Sequence, residues 1–261
     1  MEETAEKTRW FDGVWAALIF FTRLPFWRVY QPPQASYKRV VEYWPLTGWL
    51  TGGAMAATLY FGSMVLPHVV AVIAAIAVRL LITGALHEDG LADFMDGFGG
   101  GGDRDRILAI MKDSHIGTYG VLGLIVYMLL LATALYSMPV TVAALAIIGA
   151  DPFSKMVTSQ LINMLPYARP EEEAKNKTVY RKPTMAAGLF LTVQGLLPMG
   201  FMFWLLGANW YLVIVFPALV MYFLYLLMLR KIHGYTGDCC GAVCLLVELA
   251  AYLLACSQFI Q

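Results

Sequence analysis

Three aspartates stand out in a 261-residue chain that is otherwise poor in charge: Asp89, Asp93 and Asp96, within His87-Glu88-Asp89-Gly90-Leu91-Ala92-Asp93-Phe94-Met95-Asp96-Gly97. Spacings of four and then three residues put all three on one face of a helix. Carboxylates stacked that closely repel one another unless they take up protons or share a cation. The donors are oxygens, with one flanking His and no neighbouring Cys, which suits a hard divalent ion such as Mg2+ better than zinc. The competing reading is a solvated acidic helix end. Against it stands the polar continuation, four glycines at 99–102 and then Lys112-Asp113-Ser114-His115-Ile116-Gly117-Thr118. An oxygen-ligated metal beside basic side chains is equipment for phosphoryl or diphosphate transfer, because it offsets charge on phosphate oxygens and on the leaving group. A carboxylate apart from the metal can deprotonate an attacking hydroxyl. Asp113 is the candidate for that role; its other reading is a cap for a helix starting near Thr118.

The rest of the chain must hold these residues at a membrane. Apolar residues make up 59% and charged residues 14% of the sequence, with a mean hydropathy of +0.65. That composition belongs to lipid-facing helices and predicts an all-α, polytopic integral membrane bundle, taken as one domain over 1–261. A net charge of zero offers no footprint for nucleic acid. The first seven residues are acidic, unlike the start of a cleavable signal. Seven spanning segments are expected, at 45–66, 69–86, 118–137, 140–162, 187–207, 210–229 and 243–260. Residues 10–21 are apolar but too few to cross a bilayer. They read as an amphipathic interfacial helix, ended by Thr22-Arg23-Leu24-Pro25, within an N-terminal segment 1–44. Arg23 would anchor lipid headgroups or bind phosphate.

Charge in the connections sets the orientation. Those near 66–69, 137–139 and 207–210 hold no Lys or Arg, whereas the others carry Lys38, Arg39, Arg104, Arg106, Lys112, Arg169, Lys175, Lys177, Arg181, Lys182, Arg230 and Lys231. Basic loops stay in the cytosol. The N-terminus, the acidic segment 87–117 and the loops 163–186 and 230–242 are therefore expected on the cytosolic side of the cytoplasmic (inner) membrane.

Arg79 and Lys155 interrupt apolar spans. A charge at mid-bilayer costs about 2.5–3.5 kcal/mol, so each should face the bundle interior and meet an anion. Asp151 lies one turn before Lys155 and can pair with it; anion binding by Lys155 is the other reading. Asp151-Pro152 is expected to break the fourth span, and Glu248 in the last span needs a partner. Glu171, Glu172 and Glu173 with the nearby lysines read as a solvated face. Cys239, Cys240, Cys244 and Cys256 read as small apolar residues rather than a metal site. The turn His233-Gly234-Tyr235-Thr236-Gly237-Asp238 ends on an acid.

The motif Asp89-Gly90-Leu91-Ala92-Asp93-x-x-Asp96-Gly97, the glycine run, Asp105-Arg106, Ile110-Met111-Lys112-Asp113-Ser114 and Ile116-Gly117-Thr118-Tyr119-Gly120 resemble the cobalamin (5′-phosphate) synthase family, the adenosylcobinamide-GDP ribazoletransferases. Phe21-Thr22-Arg23-Leu24-Pro25, Trp44-Pro45-Leu46-Thr47-Gly48 and Thr236-Gly237-Asp238-x-x-Gly241-Ala242 are similar to further stretches of that family in the same order. The resemblance runs from about residue 20 to 248. It implies the last assembly step of vitamin B12: a hydroxyl of α-ribazole, or of its 5′-phosphate, attacks the phosphate joined to the cobinamide arm of adenosylcobinamide-GDP, and GMP leaves, with Mg2+ as cofactor. It further implies Asp89, Asp93 and Asp96 as metal ligands and Asp113 as base. Arg106, Lys112, Ser114 and Lys155 would be substrate-binding residues, and Asp238 would complete the metal site or orient a ribose. Membrane lipid surrounds such an enzyme, and a homo-oligomer is compatible with it. Glu88 stands where some members carry Leu, and Lys155 where some carry Arg.

Two rivals are weaker. A CDP-alcohol phosphotransferase places Ala-Arg after its Asp-Gly and ends on two Asp four apart; here Ala92 precedes Asp93, and Asp103 and Asp105 are two apart. A cation transporter holds its acids near the bilayer midplane, whereas this cluster continues into a long polar loop.

Overall fold

A computed structural model describes residues 9–170, 179–206 and 212–257. Glu171, Glu172 and Glu173, Lys175, Lys177, the connection 207–210 and the acidic start 1–7 lie outside the described residues. Among the described residues all regular structure is helical: α1 Asp12–Phe21, α2 Trp44–Gly62, α3 His68–Thr83, α4 Leu86–Gly100, α5 Arg104–Lys112, α6 Thr118–Tyr136, α7 Val140–Ser159, α8 Leu161–Met164, α9 Met185–Leu206, α10 Leu212–Ile232 and α11 Gly237–Ser257, with a 3-10 segment Gln34–Tyr43 before α2.

The helices form a polytopic membrane bundle. Five of the described helices are long and apolar enough to cross a membrane, or six if α3 and α4 count as one bent span. Segment 69–86 is not a straight crossing. Helix α3 has 16 residues and turns by 90° into α4. The corner is made by two consecutive left-handed residues, Gly84 (φ 63°) and Ala85 (φ 55°), whose N–H groups both bond to the Leu80 carbonyl. Arg23 packs its side chain into that corner and donates its backbone N–H to the Ile82 carbonyl at 2.7 Å.

Helix α2 is 19 residues long and rich in Gly and Thr, with Trp49, Tyr60 and Phe61 exposed on one side. Its other side packs against α3 and α7. Gly48 and Gly52, four apart, let the two backbones meet: a Cβ on Gly48 would lie 2.8 Å from the Pro152 Cα. Pro152 does not break the fourth span, which runs unbroken through it as α7. The surrounding helices, not the local helical bonds, hold that turn in place.

Chain direction gathers the polar connections at one end. α2, α6, α9 and α11 start there and α3, α7 and α10 finish there, so segments 22–43, 84–117, 160–170, 179–184 and 233–236 share it. The short connections 63–67 and 137–139 lie at the other end. Both intramembrane cations have the partners expected. Lys155 pairs with Asp151, which also accepts from Thr51 Oγ1 at 2.8 Å. Arg79 donates through Nη1 to both Glu248 oxygens at 2.9 Å and through Nη2 to the Tyr127 hydroxyl at 2.8 Å.

Candidate active site

Helix α4 carries the acidic motif as a helix, yet its three aspartates are put to different uses. Asp89 is exposed, Asp93 half-buried and Asp96 buried. Both Asp96 oxygens accept backbone N–H groups at the start of α6, Gly117 at 2.7 Å and Gly120 at 2.8 Å. A carboxylate facing a helix N-terminus satisfies otherwise orphaned donors and complements the helix dipole. The cap foreseen for Asp113 is thus supplied from α4. Asp113 instead folds onto its neighbour, accepting from the His115 backbone N–H at 3.0 Å and contacting His115 Nδ1 at 2.7 Å. Those hydrogen bonds hold its carboxyl below the usual carboxylate range. Among the described residues, no group of three His, Cys, Asp or Glu side chains is placed to share an ion.

One residue earlier, Glu88 points the other way. Its carboxylate is buried, 3.6 Å from Arg79. Neighbouring helical residues diverge by about 100°, so anchoring Glu88 inward turns Asp89 outward. Asp89 then lines a cavity of about 120 Å³ together with Phe20, Phe21, Trp44, His87, Tyr167, Arg169, Tyr180, Asp238 and Cys240. Four stretches far apart in sequence meet here: the end of α1, the start of α2, and the first turns of α4 and α11. Gly90 and Gly241 permit the α4–α11 approach, since a Cβ on Gly90 would sit 3.0 Å from the Asp238 carbonyl oxygen, and one on Gly241 3.0 Å from that of His87.

Two connections close over the cavity. The Ala168 N–H bonds to the Tyr235 carbonyl at 2.8 Å and the Tyr235 N–H to the Pro166 carbonyl at 3.0 Å, the Tyr167–Tyr235 bridge. Arg104 ties the same two segments, donating to the Ala168 and Ile232 carbonyls at 2.6 and 3.2 Å. Arg169 donates to the Leu108 carbonyl at 2.8 Å. It lines both the cavity and a groove of about 380 Å³ with Arg104, Asp105 and Lys112. Burial pushes the Tyr167 phenol up to about 12 and raises Tyr180 well above its ordinary value. Both therefore stay protonated at neutral pH, as donors.

Of the residues singled out in the sequence, Asp89 and Asp238 share the cavity and Lys112 lines the basic groove beside it. Arg106 and Ser114 are exposed on α5 and the following turn, and Lys155 is buried against Asp151. Sequence reasoning missed Trp44, His87, Tyr167, Arg169 and Tyr180 as lining residues. A signal existed for Trp44, inside a motif stretch; Tyr167, Arg169 and Tyr180 sit on irregular connections that no periodicity marks.

Fold and cavity define an integral membrane helical bundle that collects carboxylates, a guanidinium group and aromatic rings at one end. The family described as cobalamin-5-phosphate synthase matches residues 13–256, and the chain belongs to it. A protein of Leptothrix cholodnii named adenosylcobinamide-GDP ribazoletransferase is 38% identical over 246 residues, covering 91% of this chain and 92% of its own. Proteins of the same name from Shewanella frigidimarina and Leptospira interrogans are 34% and 31% identical, covering 91% and 97% of this chain and the same shares of their own. No solved structure matches the chain.

Proposed function

We propose that this chain is an adenosylcobinamide-GDP ribazoletransferase, joining α-ribazole or its 5′-phosphate to adenosylcobinamide-GDP with release of GMP, the last assembly step of adenosylcobalamin. One observation carries the proposal: the motif stretches around Phe21, Trp44, Asp89 and Asp238, separated by up to 217 residues (238 − 21), line one cavity at the end of the bundle where the basic connections gather.

The donor set fits Mg2+. Asp89 and Asp238 bring carboxylates to one cavity, and Mg2+ is commonly held by one or two carboxylates, with water and substrate phosphate filling its other positions. We assign it to Asp89 and Asp238, with Asp93 one turn further along α4. When bound, the ion neutralises charge on the diphosphate and on the departing GMP. Arg169, Arg104 and Lys112 hold the phosphate that does not react, Arg169 as a planar two-point donor and Lys112 as a point charge. Asp113, ionised at neutral pH like any exposed aspartate and lowered further by its hydrogen bond with His115, takes the proton of the attacking hydroxyl. Positive loop charge supports a site on the cytosolic face of the cytoplasmic membrane.

Membranes containing the protein, supplied with adenosylcobinamide-GDP, α-ribazole and Mg2+, should release GMP and form the corrinoid product in equal amounts, and chelation should stop both. Ion flux without GMP would replace the transferase with a transporter. Cysteines introduced at Ser137 and His233, both exposed, should react with impermeant thiol reagents from opposite sides of the membrane, His233 from the cytosol.

A further inference from the structure

The cavity that Asp89 and Asp238 line has a second character, supplied by rings. Phe21 and Trp44 have centroids 4.9 Å apart with planes within 7°; His87 lies 5.7 Å from Trp44 and 6.4 Å from Phe21, each within 9° of parallel. Three side chains from α1, α2 and α4 thus share one plane direction. Offset stacking of this kind is one of the two arrangements aromatic pairs prefer, the other being the edge-on contact of Phe20 and Phe21 at 81°. Three near-parallel rings from three helices form a stack on which another flat ring lies without tilting.

The same side chains carry unused hydrogen-bonding atoms. Trp44 Nε1 and His87 Nε2 are buried and have no hydrogen-bond partner among the described residues. Trp44 is 3% exposed and His87 5%. Buried polar atoms in folded proteins are nearly always paired, because leaving one unpaired forfeits its hydration with nothing in return. Here two occur on adjacent rings, in two residues that line one cavity. An indole N–H can only donate, so the missing partner of Trp44 is an acceptor. A neutral imidazole nitrogen takes either role.

Size narrows the ligand. About 120 Å³ is far below what a macrocycle needs and leaves room for part of one flat ring system. We propose that this cavity is a stacking slot for one planar N-heterocycle bearing an in-plane acceptor, held by the parallel rings of Phe21, Trp44 and His87 and by hydrogen bonds to Trp44 Nε1 and His87 Nε2. The proposal rests on the transferase reading for the two sources of such a ring, the guanine of the nucleotide and the benzimidazole of the ribazole. The corrin ring stays outside. Asp89, Asp238 and Arg169 in the same lining then meet the sugar-phosphate end of whichever molecule enters.

Binding without turnover tests it. The purified protein in lipid nanodiscs is titrated calorimetrically with GMP, with α-ribazole and with ribose 5-phosphate, which has no base. Trp44→Phe keeps a ring and removes the donor, so it should weaken the ligand whose base enters by roughly three- to tenfold and leave ribose 5-phosphate unchanged. Trp44→Leu removes the ring as well and should weaken that ligand further. The ligand that responds identifies the source; equal weakening of ribose 5-phosphate, or no response from either base, overturns the slot. A measurement on the unsubstituted protein covers loss of folding in the variants: photolabelling with azidopurine nucleotide and with azidobenzimidazole riboside should attach one of them to the peptides holding Phe21, Trp44 or His87. Attachment of both elsewhere overturns the proposal. Base binding that depends on Trp44, without GMP release from the corrinoid substrate, would leave the slot standing and remove the transferase. Normal GMP release from Trp44→Leu with unchanged KM for both substrates would do the reverse.

Discussion

Asp89 and Asp96 are seven residues apart on one helix and do opposite work. The Asp89 carboxylate faces the cavity, while Asp96 is spent on the amides of Gly117 and Gly120. Asp89→Asn should therefore lower GMP release by about a hundredfold or more with an unchanged thermal unfolding midpoint. Asp96→Ala should lower stability by about 0.5–2 kcal/mol, the usual cost of a lost cap, measurable by thermal unfolding in detergent. If Asp89→Asn retains near-normal turnover, Asp89 is not a metal ligand. Asp113 allows a test by pH. Its pKa is depressed chiefly by the hydrogen bond from His115, so the ionised base persists to low pH and is lost only as pH falls through that depressed value. His115→Ala removes the bond, raises the Asp113 pKa, and should move the acid limb of kcat/KM to higher pH. An unmoved limb would take the base role from Asp113. The aspartates themselves were legible in the sequence, since acids in an apolar chain announce themselves. Their division of labour was not, because the partner of Asp96 lies 21–24 residues away.

At the scale of elements, the site depends on how α4 is set. The corner at Gly84-Ala85 swings it away from α3, and the contact at Gly90 and Gly241 brings it against α11. Gly84→Ala should cost about 1–2 kcal/mol from the left-handed backbone alone, and more because its Cβ would lie 2.4 Å from Arg23 Nε. Gly90→Ala tests position rather than fold. A new methyl 3.0 Å from the Asp238 carbonyl oxygen forces α4 and α11 apart by a few tenths of an ångström, shifting Asp89 relative to Asp238. Turnover should drop roughly tenfold, with affinity for single substrates less affected; equal losses in both would show that the spacing of the two helices does not tune the chemistry. Gly90 and Gly241 belong to motif stretches visible in the sequence. That they face each other was not, because close approach is a property of two helices together.

The whole molecule is held across its interior by charge. Arg79 on α3 joins Glu248 on α11, Glu88 on α4 and Tyr127 on α6, and Tyr252 donates to Glu248. Arg79 is the cation for two carboxylates, so its removal leaves both in an apolar interior. Arg79→Leu should cost about 3–5 kcal/mol. Glu248→Gln, which leaves Arg79 still beside Glu88, should cost less. Combining Arg79→Leu with Glu248→Leu should recover part of the loss of the single arginine variant, since one unpaired charge goes with its partner. Denaturation of the purified variants in mild detergent gives the order; an arginine variant no weaker than Glu248→Gln would mean that the network is not what holds α3, α4 and α11 together. Because Glu88 belongs to this network, the same variants should also impair the site by freeing the rotation of α4.

What the sequence alone settled follows from solvent. Lipid excludes unpaired charge and unpaired backbone, so composition dictated helices, loop charge grouped the polar connections at one end, and Arg79, Lys155 and Glu248 had to find interior partners. Length and hydropathy cannot tell a straight rod from a bent pair, so only the tertiary structure showed that α3 turns by 90° into α4 and that α2 lays its glycine face on α7. Only the tertiary structure decided which of three stacked aspartates meets the cavity, and that Phe21, Trp44, His87, Arg169 and Tyr180 join it. The reason is physical: a side chain's environment is set by what other segments place beside it, and contacts between residues a hundred or more positions apart leave no periodic trace along the chain.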